Sequence, residues 1–229
     1  MNYLKNGEEN MIKISASTNP PQQRDLPKYV QELQQAGVDM LHCDVMSSNF
    51  VTIDCLDYDT LRKVKDHTLL PLDIHLMVNE PYKVVKKYAT LGAMYITVHY
   101  EAFEWRDKFD KTVKLIREHG SMVGISIKPT TLVKTIKPLL PQVDLVLIMG
   151  VEPGKSGQKT LSNTVPKIEE LRAIIRENNY NIKIAVDGGI NTSNVKQMYN
   201  SGADIVVMGN ALFKAEDKKK IVDYVHRIR

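Results

Sequence analysis

Residues 36–46 read Ala36-Gly37-Val38-Asp39-Met40-Leu41-His42-Cys43-Asp44-Val45-Met46. A glycine closes one element and an apolar run opens the next. Glycine tolerates the left-handed backbone that ends a helix. A continuous apolar run with little alternation suits a strand covered on both faces. The phrase recurs: Leu91-Gly92-Ala93-Met94 and Ser201-Gly202-Ala203-Asp204 lead into apolar runs in the same way, and Gly120 precedes another.

Working outward from these points predicts eight strands, at 12–17, 40–44, 72–77, 94–99, 122–127, 145–149, 182–187 and 205–209. Amphipathic helical segments lie between them, most clearly at 27–36, 81–91, 108–119, 166–177 and 193–200. The strand starts are roughly 22 to 37 residues apart, the length of one βα unit. Eight such units make an α/β fold of the (β/α)8 TIM-barrel type. A doubly wound open sheet is the alternative, but it usually has fewer strands. It would not gather the ends of the second, third and seventh strands around one centre. The expected organisation is a single barrel domain over residues 11–229. Residues 1–10 are expected to be a polar, disordered extension, with Met11 as a candidate alternative start.

The 229 residues are 43% hydrophobic and 25% charged, as in an ordinary globular domain. The net charge of +4 comes from scattered basic residues, which gives no sign of nucleic-acid binding. The longest apolar stretches are about five residues, far short of the roughly 20 that span a bilayer. Residues 1–10 lack the apolar core of a signal peptide. Cys43 and Cys55 are the two cysteines and make no disulfide framework, so a reducing cytoplasm is expected.

Barrel enzymes carry their sites at the C-terminal strand ends. His42 and Asp44 are two apart in one strand and so face the same way. His75 and Asp187 fall at the ends of the third and seventh strands. Each of the four alone reads as a hydrogen-bonded polar residue. Together at one rim they read as a site for one divalent metal: Zn, Fe(II), Mn or Co. Asp44 and Asp187 come from different sides of the mouth. They suit removal of a proton from one face of a carbon and its return on the other, next to a carbonyl whose developing enolate the metal stabilises. The plainer alternative makes both aspartates ligands alone.

The Gly188-Gly189 and Gly209-Asn210 turns follow the last two strands and offer backbone N–H groups to a phosphate. The loop Val151-Glu152-Pro153-Gly154-Lys155-Ser156-Gly157-Gln158 reads as a lid, with Lys155 directed to phosphate or solvent. Met46, Met77 and Met149 end three strands, either as core filler or as a polarizable wall around the reacting centre. Cys43 points away from His42 and Asp44, toward the helices.

These stretches resemble the ribulose-phosphate 3-epimerase family from Ile12 to about Phe213. The resemblance rests on His42-Cys43-Asp44-Val45-Met46, Asp73-Ile74-His75-Leu76-Met77-Val78 and Ile96-Thr97-Val98-His99-Tyr100-Glu101-Ala102. It continues in Met149-Gly150-Val151-Glu152-Pro153-Gly154, Gly157-Gln158-Lys159 and Val186-Asp187-Gly188-Gly189-Ile190. It implies a barrel of the ribulose-phosphate-binding type. The implied reaction interconverts D-ribulose 5-phosphate and D-xylulose 5-phosphate through a cis-enediolate, within pentose phosphate metabolism. His42, Asp44, His75 and Asp187 would be the metal ligands, and Asp44 and Asp187 the acid/base pair. Ser17 would join His75 and the three methionines around the substrate. Gly154, Gly157, Gly188, Gly189, Gly209 and Asn210 would lie about its phosphate. A homo-oligomer, dimer or hexamer, is implied as well.

The chain departs from the family pattern at Thr18 to Asp25, at Ser47-Ser48, at Phe50-Val51-Thr52-Ile53, at Lys155 and Ser156, and at Asn210. All of these lie around the pocket rim, which leaves open the same 3-epimerisation of another ketose phosphate such as D-allulose 6-phosphate. A lyase or decarboxylase on a related phosphate-binding barrel, against which the His42 and His75 ligands argue, and a non-catalytic sugar-phosphate-binding protein are the remaining alternatives.

Overall fold

Helix and strand alternate along the chain. The computed structural model describes residues 11–19, 25–52, 54–154 and 157–229. The elements run β1 (Lys13–Ser17), α1 (Leu26–Ala36), β2 (Met40–Met46), α2 (Tyr58–Asp66), β3 (Leu72–Met77), α3 (Pro81–Ala89) and β4 (Tyr95–His99). They continue with α4 (Arg106–Glu118), β5 (Met122–Ile127), α5 (Val133–Ile136), β6 (Leu145–Met149), α6 (Thr164–Glu177), β7 (Lys183–Asp187), α7 (Val195–Ser201), β8 (Ile205–Met208), α8 (Asn210–Phe213) and α9 (Lys218–His226). All eight strands pair in parallel and in chain order, and β8 closes on β1. The open-sheet alternative is thereby excluded.

The local chemistry explains the boundaries. Asp25 caps α1 by accepting from the Lys28 N–H, and Gly37 ends it with φ 86°. The buried face of α1, Tyr29, Val30, Leu33 and Ala36, lies on the outer wall of the barrel. Alternation along β2 sends Leu41, Cys43 and Val45 into that outer core, as expected for Cys43. The opposite faces of the strands fill the barrel. Met40, Tyr95, Leu145, Leu147, Met149, Ala185, Ile205 and Val207 pack there as an apolar plug. Ser15, His42, Asp73, His75, Thr97 and His99 are buried polar residues of the same interior-facing alternation.

Several boundaries differ from expectation by one or two residues, and two of them bear on the strand C-termini. β2 runs on to Met46, because Met46 still pairs with Met77 across the ladder. β8 stops at Met208, and Gly209 leads into α8. Helices α2, α5, α8 and α9 were not predicted, since each buries only two or so side chains.

The face opposite the strand C-termini carries a repeated clasp. Asp39, Asp144 and Asp204 each stand just before an even-numbered strand. Each accepts a hydrogen bond from a backbone N–H of the preceding strand: Ile14 at 2.8 Å, Val123 at 2.7 Å and Ile184 at 2.7 Å. At the fourth such place, before β4, the residue is Met94. Asp39 also reaches Lys13 at 2.9 Å and the His226 ring at 2.8 Å, so it joins β1 to α9.

Candidate active site

The ladder between β2 and β3 places Asp44 beside His75 and His42 beside Asp73, and the β6–β7 ladder places Met149 beside Asp187. Pleating turns all six inward. Atoms of His42, Asp44, His75 and Asp187 thereby come within 4.8 Å of one another. His42 Nε2 is 3.1 Å from Asp44 Oδ1 and 3.9 Å from Asp187 Oδ2, while His75 Nδ1 is 3.2 Å from Asp44 Oδ1.

The donor set fits a divalent cation. His42 Nδ1 lies 2.7 Å from Asp73 Oδ2, which also accepts from the Ser15 hydroxyl at 2.8 Å. A proton held on Nδ1 by that carboxylate leaves Nε2 with a bare lone pair. That Nε2 is buried and has no hydrogen-bond partner among the described residues. It faces two carboxylates, so lone pairs converge with a positive charge called for at their centre. Ligands about 2.0–2.2 Å from one ion stand within about 4.4 Å of each other, close to what is seen. The carboxylate behind the imidazole is the usual support for a metal-binding histidine.

The electrostatics show the same excess of negative charge, which draws either a cation to the cluster or a second proton to His42. Burial opposes a charge on His42, but Asp44 and Asp73 outweigh it and raise its pKa well above the ordinary value. Burial likewise opposes ionisation of Asp44, yet the two imidazoles beside it, His42 and His75, hold its carboxyl below the usual range. Asp187 goes the other way. Burial and the neighbouring Asp44 charge, against the pull of His42, push it up to about 6.

Above this cluster lies a cavity of about 480 Å³. Asp44 and Asp187 reach its floor, and Ser17, Met46, Met77 and Met149 line its wall. His42 and His75 are fully buried below and do not line it. Gly154, Gly157, Gly188, Gly189, Gly209 and Asn210 border the same cavity. Gly188 and Gly189 have φ of 123° and 71°, and a Cβ on either would stand 2.6 Å from Val151 or from the Thr160 backbone nitrogen. No other residue fits that turn. The 151–154 segment rests on the β2 loop, since a Cβ on Gly154 would lie 2.9 Å from Val51. Met46, Met77 and Val51 form one apolar cluster, with Met149 in the barrel plug. Lys155 and Ser156, and the extension 1–10, lie outside the described residues.

The sequence profile of the ribulose-phosphate 3-epimerase family matches residues 13–213. The chain belongs to the ribulose-phosphate 3-epimerase family. It is 34% identical over 219 residues to the Bacillus subtilis ribulose-phosphate 3-epimerase, an alignment covering 94% of this chain and 98% of that one. The Treponema pallidum ribulose-phosphate 3-epimerase is 37% identical over 181 residues, covering 79% and 82%. Among solved structures, KGPDC from Streptococcus mutans superimposes with a TM-score of 0.73 at 10% identity, covering 95% of this chain and 99% of that one. The 3-hexulose-6-phosphate synthase from Salmonella typhimurium gives 0.66 at 16%, covering 95% and 98%. These two share the barrel. As a ribulose-phosphate 3-epimerase family member, the chain is an isomerase of the epimerase type.

Sequence reading missed several residues of this epimerase site. Asp73 sits two residues before His75 and shares its direction, so a charge inside an apolar strand was the available signal. His99 ends β4, and its Nε2 lies 3.0 Å from His75 Nε2. Burial pushes the His99 pKa down to about 4, against the hydrogen bond to Glu101. Asn19, Asn191 and Lys214 also border the cavity. Lys214 follows Asn210 by four residues, one helical turn, which was the clue to its direction. Among the described residues, no helix is long and apolar enough to cross a membrane.

Proposed function

We propose that this epimerase interconverts D-ribulose 5-phosphate and D-xylulose 5-phosphate by moving a proton at C3. The supporting observation is that two carboxyls, from β2 and β7, reach one cavity floor with their pKa values pushed apart. Such a pair is suited to opposite proton-transfer roles. Asp44, the more acidic, takes the C3 proton from one face, and the electron pair passes to the C2 carbonyl as an enediolate. Asp187, the carboxyl that holds its proton more readily, gives it to C3 on the other face. Each turnover exchanges which carboxyl carries the proton, and the open cavity lets the two re-equilibrate.

His42, Asp44, His75 and Asp187 would hold one divalent cation, Zn, Fe(II), Mn or Co. When bound, such an ion supplies Lewis-acid stabilisation of negative charge developing beside the reacting carbon. Met46, Met77 and Met149 keep that carbon in apolar surroundings, and Ser17 offers a hydroxyl at the cavity wall. The phosphate is assigned to the other end of the cavity, against the Gly188-Gly189 and Gly209-Asn210 turns, with Lys214 supplying a positive charge.

The test follows D-ribulose 5-phosphate in D2O by NMR with metal-loaded protein. Deuterium should enter C3 as xylulose 5-phosphate forms, and chelation should stop both. Absence of exchange and product in the loaded protein would sink the assignment. The same assay with D-allulose 6-phosphate, compared by kcat/KM, decides whether the altered rim at Ser47, Ser48 and Asn210 has shifted the substrate.

A further inference from the structure

The two histidines of the cluster are supported differently. His42 meets a carboxylate directly, through Asp73. Behind His75 stands a second imidazole. His75 Nε2 and His99 Nε2 are 3.0 Å apart, with the ring planes inclined at 26° to each other. His99 Nδ1 lies 3.1 Å from Glu101 Oε2. Both rings are fully buried. Phe50 packs on His99 at 5.0 Å between centroids, and the Lys128 ammonium sits 4.4 Å from the Phe50 centroid.

Glu101 cannot turn freely. Its Oε1 accepts from the Lys128 backbone N–H at 2.8 Å and from the Thr131 hydroxyl. Oε2 is thereby left facing His99. Lys167 fixes the same loop from the far side, its ammonium donating to the carbonyls of Lys128, Pro129 and Thr131 at 2.9, 2.7 and 2.6 Å.

We propose that Glu101 and His99 are positioning residues that set the tautomer of His75 and so aim its Nδ1 lone pair into the metal cluster. The carboxylate holds the proton of a neutral His99 on Nδ1. His99 Nε2 must then accept, so His75 donates from its Nε2. His75 Nδ1 is left bare, facing Asp44 Oδ1 at 3.2 Å. The relay does for His75, at one imidazole's remove, what Asp73 does for His42. It rests on the metal reading of the cluster.

Glu101→Gln tests it with little change of shape. Lys128 N–H and Thr131 O–H both need an acceptor, so the amide oxygen takes the Oε1 place. The amide NH2 then faces His99 Nδ1, which must accept, and both imidazole tautomers reverse. Imidazole 15N NMR of the full chain, chelated and then loaded with Zn(II), reads the tautomers directly. Co(II) titration followed by its visible absorption reads affinity. Chelated wild type should show His75 protonated on Nε2 and His99 on Nδ1. Glu101→Gln should reverse both and weaken Co(II) binding by about 10–100-fold, with the thermal melt checking that it folds.

A wild-type His75 protonated on Nδ1, or a doubly protonated His99, overturns the proposal whatever the variant does. So does a folded Glu101→Gln with unchanged tautomers and Co(II) affinity. If wild type shows the expected tautomers but binds neither metal, the relay stands and the metal reading fails.

Discussion

Asp44 and Asp187 differ by environment and not by chemistry. Asp44 stands between two imidazoles, each about 3 Å away. Asp187 meets His42 only at 3.9 Å and keeps 20% of its side chain exposed. Asp44→Asn and Asp187→Asn should each lower kcat by roughly 10²–10⁴-fold. Following exchange from each epimer separately in D2O should show which face each residue serves. These two were legible in the sequence because strand alternation and strand-end position fix where such side chains go. Asp73, His99 and Glu101 were less legible, since their importance lies in partners on other strands: His42, His75 and the β5–α5 loop.

At the scale of elements, long apolar strands and well-capped helices were readable. The short helices were not. α2 carries Leu61 and Val64 as its buried residues, too few for a periodic pattern, and α5 gives way to a 3-10 turn holding Pro138 and Pro141. The loop after β5 shows what pattern alone misses. It lacks regular structure, yet the buried Lys167 ammonium from α6 holds three of its carbonyls. Lys167→Met should leave those carbonyls unsatisfied and destabilise the fold by about 1–3 kcal/mol. Chemical denaturation followed by circular dichroism measures this, and an unchanged midpoint would remove the loop-anchoring role.

For the molecule as a whole, eightfold recurrence made the barrel readable, since no other common arrangement uses eight βα units of this length. Two of the three aspartate clasps, at Asp39 and Asp204, follow a Gly-x-Asp phrase, while Asp144 follows Gln142-Val143 and carries no such mark, and the partners of all three are backbone groups one strand earlier. Asp39 has a folded pKa below its ordinary 3.8: burial opposes ionisation, but His226, the Ile14 N–H and Lys13 outweigh it. A depressed carboxyl adds stability above its unfolded pKa and loses it as pH falls through the folded value. Asp39→Asn should therefore be less stable than wild type at neutral pH, by about 1–2 kcal/mol, and melt at a lower temperature. The two melting curves should converge as pH drops below 3.8. Curves that stay parallel down to acid would show that the Asp39 charge does not matter.

Of the four pairs that join an odd strand to the even strand after it, three are buttoned at the base of the barrel, while β3 and β4 meet at the top through His75 and His99. Slow breathing of the native state should follow that difference. In His99→Ala, native-state hydrogen exchange should show the Tyr95–His99 amides deprotecting by sub-global opening, while Ile14, Val123 and Ile184 wait for global unfolding. The contact that orders the reactive centre would then also be the latch of the one odd–even strand pair that lacks a base clasp, so that filling the centre quiets this part of the fold.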